Sequence, residues 1–239
     1  MRAVILAGGR GTRLAPYTTV IPKPLMPLGD RPILDLVLHQ LAADGFTRAT
    51  LTLGYMADYF KVFLAQRPKL RDLIEIDFIE ETKPTGTAGS LAMVPDLDEP
   101  FLVMNGDIFT DLNYGDLFRY HCEQDASLTI AAHQKEVRID LGVLEIADDG
   151  RLTDYIEKPT KNYSVSMGIY VYRPDVLEMI PKGEYLDFPT LALNLKNAGR
   201  KVLAWKTDAT WLDLGRPEDL QEATELFVER ESQFTVRAA

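Results

Sequence analysis

The opening of the chain constrains it most: an apolar run, Ala3-Val4-Ile5-Leu6, passes through Ala7 into three glycines within four positions, Gly8, Gly9 and Gly11. An apolar run bounded by glycine is how a buried strand gives way to a loop. Glycine lets the main chain come within hydrogen-bond reach of an anion, and bare N–H groups supply positive potential without side chains. Arg13, just past the loop, and Lys23, further on, add formal charge. One is a rigid fork and the other a mobile point charge, a pairing suited to holding a polyphosphate while one of its bonds breaks. A phosphate-binding loop is therefore expected at the carboxyl end of a first buried strand.

Spacing excludes two familiar loops of this kind. A dinucleotide fingerprint, Gly-x-Gly-x-x-Gly counted from Gly9, would put Leu14 where its third glycine belongs. A Walker loop, Gly-x-x-x-x-Gly-Lys-Ser/Thr, occurs nowhere in the chain.

With 239 residues and 46% hydrophobic content, the chain can bury a substantial core as one domain. Its formal net charge is −10, and it has no Lys/Arg run with interleaved aromatics, so nucleic acid is not an expected partner. An acidic protein that binds a triphosphate needs local compensation, from placed cations or from a divalent metal. The single cysteine, Cys122, excludes a disulfide framework and a thiol zinc site, and points to a reducing compartment. It reads as a partly buried residue on a helix, without a role. No signal-peptide pattern opens the chain and no apolar stretch approaches the ~20 residues that span a bilayer, so a cytoplasmic protein without a membrane partner is expected.

Strand patterns at 2–6, 49–53 and 74–79 alternate with helical ones at 33–44 and 56–65, which indicates an α/β fold with a mostly parallel sheet and helices on both faces. The run Phe101-Leu102-Val103-Met104 lacks polar alternation and should lie centrally, with Asn105-Gly106-Asp107 at its carboxyl end, where ligands sit in such sheets. From about 127 the pattern turns to strands at 127–133, 142–146, 151–156 and 166–172. Helices return at 186–198 and 217–230, the latter started by Pro217, and 232–239 should fray. His39, His121 and His133 share no ligand spacing and read as surface or interface groups. Trp205 and Trp211 read as packing residues.

Leu6-Ala7-Gly8-Gly9-Arg10-Gly11-Thr12-Arg13-Leu14, followed by Lys23-Pro24, resembles the signature of the sugar-phosphate nucleotidyltransferases, or nucleotide-sugar pyrophosphorylases. The short members that use mannose 1-phosphate and GTP are the most similar. The resemblance covers nearly the whole chain and implies a Rossmann-like fold of the GT-A type with a small strand-rich sugar-binding lobe. It implies one domain over 1–239, with a nucleotide-binding half at 1–125 and a half carrying the sugar site and second metal ligand at 126–239. No hexapeptide repeat follows, so no C-terminal β-helix domain is expected.

The resemblance also implies roles. Leu6, Ala7, Gly8, Gly9, Gly11, Thr12 and Arg13 would bind the nucleotide, with Arg13 and Lys23 catalytic. Asp107 and Asp213, the latter in Trp211-Leu212-Asp213-Leu214-Gly215, would hold Mg²⁺, with Asp111 a competitor for the first position. The segment Glu81-Thr82-Lys83-Pro84-Thr85-Gly86-Thr87 resembles a base-reading loop in which Glu81, Gly86 and Thr87 meet the nucleotide. Glu81 stands where thymidine-using members carry Gln. A carboxylate only accepts hydrogen bonds, which suits the paired N–H donors of guanine. Asn105, Gly142, Glu157, Lys158 and Gly168 would serve the sugar 1-phosphate, and Ser166-Met167-Gly168 departs from the Asn-Ala-Gly of many mannose-phosphate users. The implied activity converts a nucleoside triphosphate and a sugar 1-phosphate into a nucleotide sugar and pyrophosphate. GTP with mannose or heptose 1-phosphate leads. UTP, dTTP or CTP with another sugar 1-phosphate, and a catalytically inactive regulatory or binding paralogue, remain alternatives. The oligomeric state stays open, a homo-oligomer included.

Overall fold

In the computed structural model, which describes residues 1–235, seven strands build one mixed sheet. Their order is Val202–Thr207, Leu128–Arg138, Thr160–Tyr172, Phe101–Asn105, Arg2–Leu6, Arg48–Leu53, Glu75–Glu80. Arg2–Leu6 runs parallel to both of its neighbours, and Arg48–Leu53 to Glu75–Glu80. Thr160–Tyr172 runs antiparallel to Phe101–Asn105 and to Leu128–Arg138. The strand without polar alternation is thus the fourth of the seven. Its register shows why no alternation is needed: Ala3 lies opposite Leu102 and Ile5 opposite Met104 in one apolar layer, whereas Val4 lies opposite Val103 in the other. A strand covered on both faces must be apolar at every position.

The first layer is closed by the helices Ile33–Ala43 and Pro217–Glu229, close to the expected spans, and by Glu231–Thr235. The second is closed by Phe188–Asn197 and the 3₁₀ segment Pro174–Met179. Some expectations are corrected. Residues 232–235 do not fray, because Phe234 is buried, stacks on Phe109 with ring centroids 4.2 Å apart, and its carbonyl accepts from Gln40 Nε2 at 3.2 Å. The expected fraying of 236–239 lies outside the described residues. Cys122 sits on the helix Tyr114–Gln124 but is exposed rather than partly buried. The short strands expected at 127–133 and 166–172 are the inner parts of the longer pair Leu128–Arg138 and Thr160–Tyr172, whose outer residues run on as an exposed two-stranded arm. Those outer residues, such as Gln134, Lys135, Glu136, Lys161 and Asn162, carry no apolar periodicity to mark them as strand.

His121 is also not a surface group. It is 1% exposed on the helix Tyr114–Gln124, and its Nδ1 lies 2.9 Å from Thr129 Oγ1 on the neighbouring strand. Burial, reinforced by the Arg173 guanidinium, pushes its pKa down from 6.5 to about 4. The folded state therefore binds this proton later than the unfolded chain. The stability His121 contributes is complete above pH ~6.5 and is lost as pH falls toward 4, by up to about 3 kcal/mol. Urea midpoints of the wild type should fall between pH 7 and pH 4.5 more steeply than those of His121→Gln. Equal slopes for the two would contradict this account.

Candidate active site

The glycine loop continues the strand Arg2–Leu6 while keeping its backbone close to Arg48–Leu53. Ala7 N–H donates to Thr52 O at 2.9 Å, and a methyl group on Gly54 would lie 2.9 Å from Gly8 O, so two glycines are needed for the chains to pass. Gly9 has open space where a side chain would be, which leaves its backbone facing the cleft. Gly11 adopts φ +60°, a conformation glycine reaches at little cost, and Thr18 Oγ1 donates to its carbonyl at 2.9 Å. This turn starts the 3₁₀ segment Thr12–Leu14, in which buried Leu14 is the anchor and Thr12 and Arg13 stay exposed. The Arg13 guanidinium lies flat over Gly215, where an added methyl group would meet Nη1, Cζ and Nη2 at 3.0, 3.3 and 3.6 Å.

Lys23 opens the buried 3₁₀ segment Lys23–Leu25, flanked by Pro22 and Pro24, and its side chain is 8% exposed. Its ammonium contacts Asp107 and stands 4.0 Å from Asp213. Asp107 is brought there by the central strand, because Gly106 N–H donates to Leu6 O at 2.9 Å. Asp213 arrives through a short antiparallel pairing of Trp211–Asp213 with Ile108–Thr110, which sets Asp213 opposite Ile108. Two aspartates remote in sequence thus meet around one lysine. Asp111 does not compete for the role, since its Oδ1 accepts from Thr210 N–H at 2.8 Å and ties the same pairing together. No group of three or more His, Cys, Asp or Glu side chains that could hold a metal occurs among the described residues. Two oxygen-donor carboxylates beside a phosphate loop fit Mg²⁺, which completes its shell with water and substrate phosphates rather than a protein cage.

The segment after Glu75–Glu80 is clamped by a part of the chain far away in sequence. Ala88 and Gly89 N–H groups both donate to Leu186 O at 3.0 Å, Leu186 N–H donates to Thr85 O at 2.9 Å, and Phe188 N–H donates to Thr87 Oγ1 at 3.0 Å. Glu81 Oε2 accepts from Thr85 N–H and Oγ1 at 3.2 and 3.1 Å, while Oε1 lies beside Gly8. Gly86 has φ +81°, and a methyl group there would fall 2.5 Å from Leu186 O. Gly86→Ala should cost about 1–3 kcal/mol of stability, as read by chemical denaturation.

These elements line one cleft of about 710 Å³. It gathers Leu6, Ala7, Gly8, Gly9, Gly11, Thr12, Arg13, Lys23, Glu81, Gly86, Thr87, Asn105 and Asp107. Asp213 joins through Lys23, and Gly168, with φ +74°, packs against Asn105, whose Nδ2 would lie 2.7 Å from an added methyl group. Gly142, Glu157 and Lys158 do not line this cleft. Gly142 packs on the Tyr155 ring, Glu157 Oε2 accepts from Tyr155 Oη at 3.3 Å, and Lys158 is exposed with φ +44°, all on or beside the Val143–Ile146 and Leu152–Ile156 hairpin. Sequence reasoning missed Arg10, whose guanidinium lies 5.9 Å from the Tyr55 ring centroid, and also Tyr55, Gly54 and Gly215 in the cleft wall. The pair Gly54-Tyr55 directly follows the strand Arg48–Leu53, a carboxyl-end position that could have marked them.

A glycine loop, two cations and two carboxylates at the carboxyl rim of a mixed sheet define a phosphate-handling α/β protein. The chain belongs to the Nucleotidyl transferase family, whose model matches residues 2–230. It is 34% identical over 230 residues to the mannose-1-phosphate guanyltransferase beta-B of Xenopus laevis, which covers 92% of this chain and 62% of that protein. It is also 34% identical over 231 residues to the mannose-1-phosphate guanylyltransferase catalytic subunit beta of Drosophila melanogaster, covering 91% and 60%. The chain thus spans about three fifths of the length of these curated relatives. Among solved structures, HddC from Yersinia pseudotuberculosis complexed with GMP-PN is similar with a TM-score of 0.71 and 28% identity, covering 95% of this chain and 99% of that one.

Proposed function

We propose that this chain transfers a nucleoside monophosphate from a nucleoside triphosphate to a sugar 1-phosphate, releasing pyrophosphate. The observation that carries this is the convergence of the glycine loop, Arg13, Lys23 and the Asp107–Asp213 pair on one cleft. The loop amides from Gly8 to Gly11, with Arg13, hold the triphosphate. Lys23 meets the phosphate that becomes the transfer point. The ionised phosphate of the sugar 1-phosphate attacks the α-phosphorus, a new P–O bond forms, and the bond to the β-phosphate oxygen breaks. No protein nucleophile is required, so positioning and electrostatics carry the rate. Mg²⁺, held by Asp107 and Asp213, supplies charge neutralisation on the triphosphate when bound.

Guanine is the proposed base. Glu81 offers carboxylate acceptors at the cleft wall, and the support is shared by the guanylyltransferase names of the relatives and by the GMP-PN complex of HddC. Mannose or heptose 1-phosphate is the proposed acceptor, with Asn105 and Gly168 at the cleft and Glu157 and Lys158 reaching toward it from the end of the Val143–Ile146 and Leu152–Ile156 hairpin. Such chemistry draws on nucleoside triphosphates, and the proposed compartment is the cytoplasm. The test is pyrophosphate release from each of GTP, UTP, dTTP and CTP against a panel of sugar 1-phosphates, with and without Mg²⁺. GTP with a manno-configured phosphate should turn over fastest. Turnover with none of the pairs would sink the proposal. Glu157→Ala should raise KM for the sugar 1-phosphate about tenfold or more and leave KM for the triphosphate within about twofold; an equal rise in both would remove Glu157 from the acceptor site.

A further inference from the structure

Lys23 combines three properties that together do more than contact a phosphate. Its side chain is 8% exposed, its ammonium touches Asp107, and it stands 4.0 Å from Asp213. Its backbone is fixed by flanking prolines and by buried Pro24 and Leu25, so only the flexible four-carbon stem can move the charge. That stem lies in the wall of the same cleft as the glycine loop, within the space a triphosphate would enter. The two aspartates and the lysine sum to one net negative charge, and without the lysine to two.

We infer that Lys23 is an internal counter-ion that competes with the divalent cation for Asp107 and Asp213, so that metal binds tightly only once a triphosphate draws the ammonium aside. This rests on the two-aspartate metal site proposed above. A divalent cation reaching the pair alone meets an ammonium already in contact with Asp107 Oδ2 and 4.0 Å from Asp213 Oδ1, and like charges that close repel strongly in a partly buried setting. A triphosphate changes the balance, because its oxygens offer the ammonium a denser negative partner and free both carboxylates. Metal and nucleotide then favour each other's binding, and this coupling is reciprocal. Ordering of the two ligands would follow from one side chain rather than from a moving domain.

The test measures Mn²⁺ binding to the full chain without nucleotide, by the loss of the free Mn²⁺ electron paramagnetic resonance signal and by the metal-induced rise in Tm. Lys23→Met and Lys23→Gln should each bind Mn²⁺ about tenfold or more tightly than the wild type, and gain a larger rise in Tm. Adding Asp213→Asn to either should abolish the gain. Lys23→Arg, which keeps the charge, should stay near the wild type. Two neutral variants guard against one that fails to fold. Mn²⁺ affinity unchanged or weaker in the neutral variants, with metal-dependent turnover intact in the wild type and lost in Asp107→Asn, overturns the counter-ion role and leaves the metal site standing. Metal-independent turnover together with no Mn²⁺ binding by any variant overturns both.

Discussion

Asp107→Asn and Asp213→Asn are each expected to lower kcat/KM at least about 10²- to 10³-fold, while their effects on stability should differ. Asp107 is the direct partner of an ammonium that is 8% exposed, so neutralising it leaves a buried charge facing only a carboxylate 4.0 Å away. Breaking a fully buried pair costs about 3–5 kcal/mol, but the Asp107 side chain is 27% exposed and water screens it, so about 1–2 kcal/mol is expected. The Asp213 side chain is 47% exposed and further from the lysine, so its removal should change stability by less than about 0.5 kcal/mol. Comparable losses of turnover with unequal losses of stability separate a shared chemical role from a structural one. Pyrophosphate-release kinetics and urea denaturation on the same preparations make the comparison. Full turnover in Asp213→Asn would remove it from the site.

What the sequence made legible was local or periodic. Central placement of Phe101–Asn105 was readable because a strand buried on both faces must be apolar throughout, and the glycine loop because few other roles need three glycines so close to a buried strand. The helices Ile33–Ala43 and Pro217–Glu229 were readable from their apolar spacing and a proline start. Contacts between distant segments were not. The strand Val202–Thr207 lies at one edge of the sheet, half exposed, and its alternation is interrupted by Ala204 and Trp205. The clamp of Leu186 O on Ala88 and Gly89 is made by backbone groups, which leave no mark in side-chain pattern. His121 shares the buried face of its helix with Tyr114 and Leu117, but an imidazole carries no apolar mark in the sequence, so its burial against Thr129 shows only once helix and sheet meet. Phe234 is held by Phe109 and Gln40, partners more than a hundred residues away. In the cleft, Glu81 and the two aspartates could be named from resemblance. That Thr85 already occupies one Glu81 oxygen, and that Lys23 bridges the aspartates, needed coordinates.

Arg13→Ala should lower kcat about 10²- to 10³-fold, the scale for removing one well-aimed donor. The more revealing variant is Gly215→Ala, which leaves Arg13 in place. Gly215 is buried, its φ lies outside the left-handed region, and Leu214 beside it is fully buried, so alanine there brings no backbone strain and the turn stays anchored. The turn is closed by Gly215 N–H donating to Asp213 O at 2.6 Å, a bond that a methyl group on Gly215 does not touch. What the methyl group meets is the guanidinium face, at 3.0 Å from Nη1, so the fork must lift from its seat by a few tenths of an ångström. Misplacing a positioned cation by that much should cost about tenfold in kcat with little change in stability. The double variant separates this from damage to the neighbouring Asp213. If Gly215 acts through Arg13, Arg13→Ala/Gly215→Ala is no slower than Arg13→Ala alone, since the methyl group then enters vacated space. If the two losses multiply, the turn acts on Asp213 instead, and the seat of Arg13 on Gly215 has no part in catalysis.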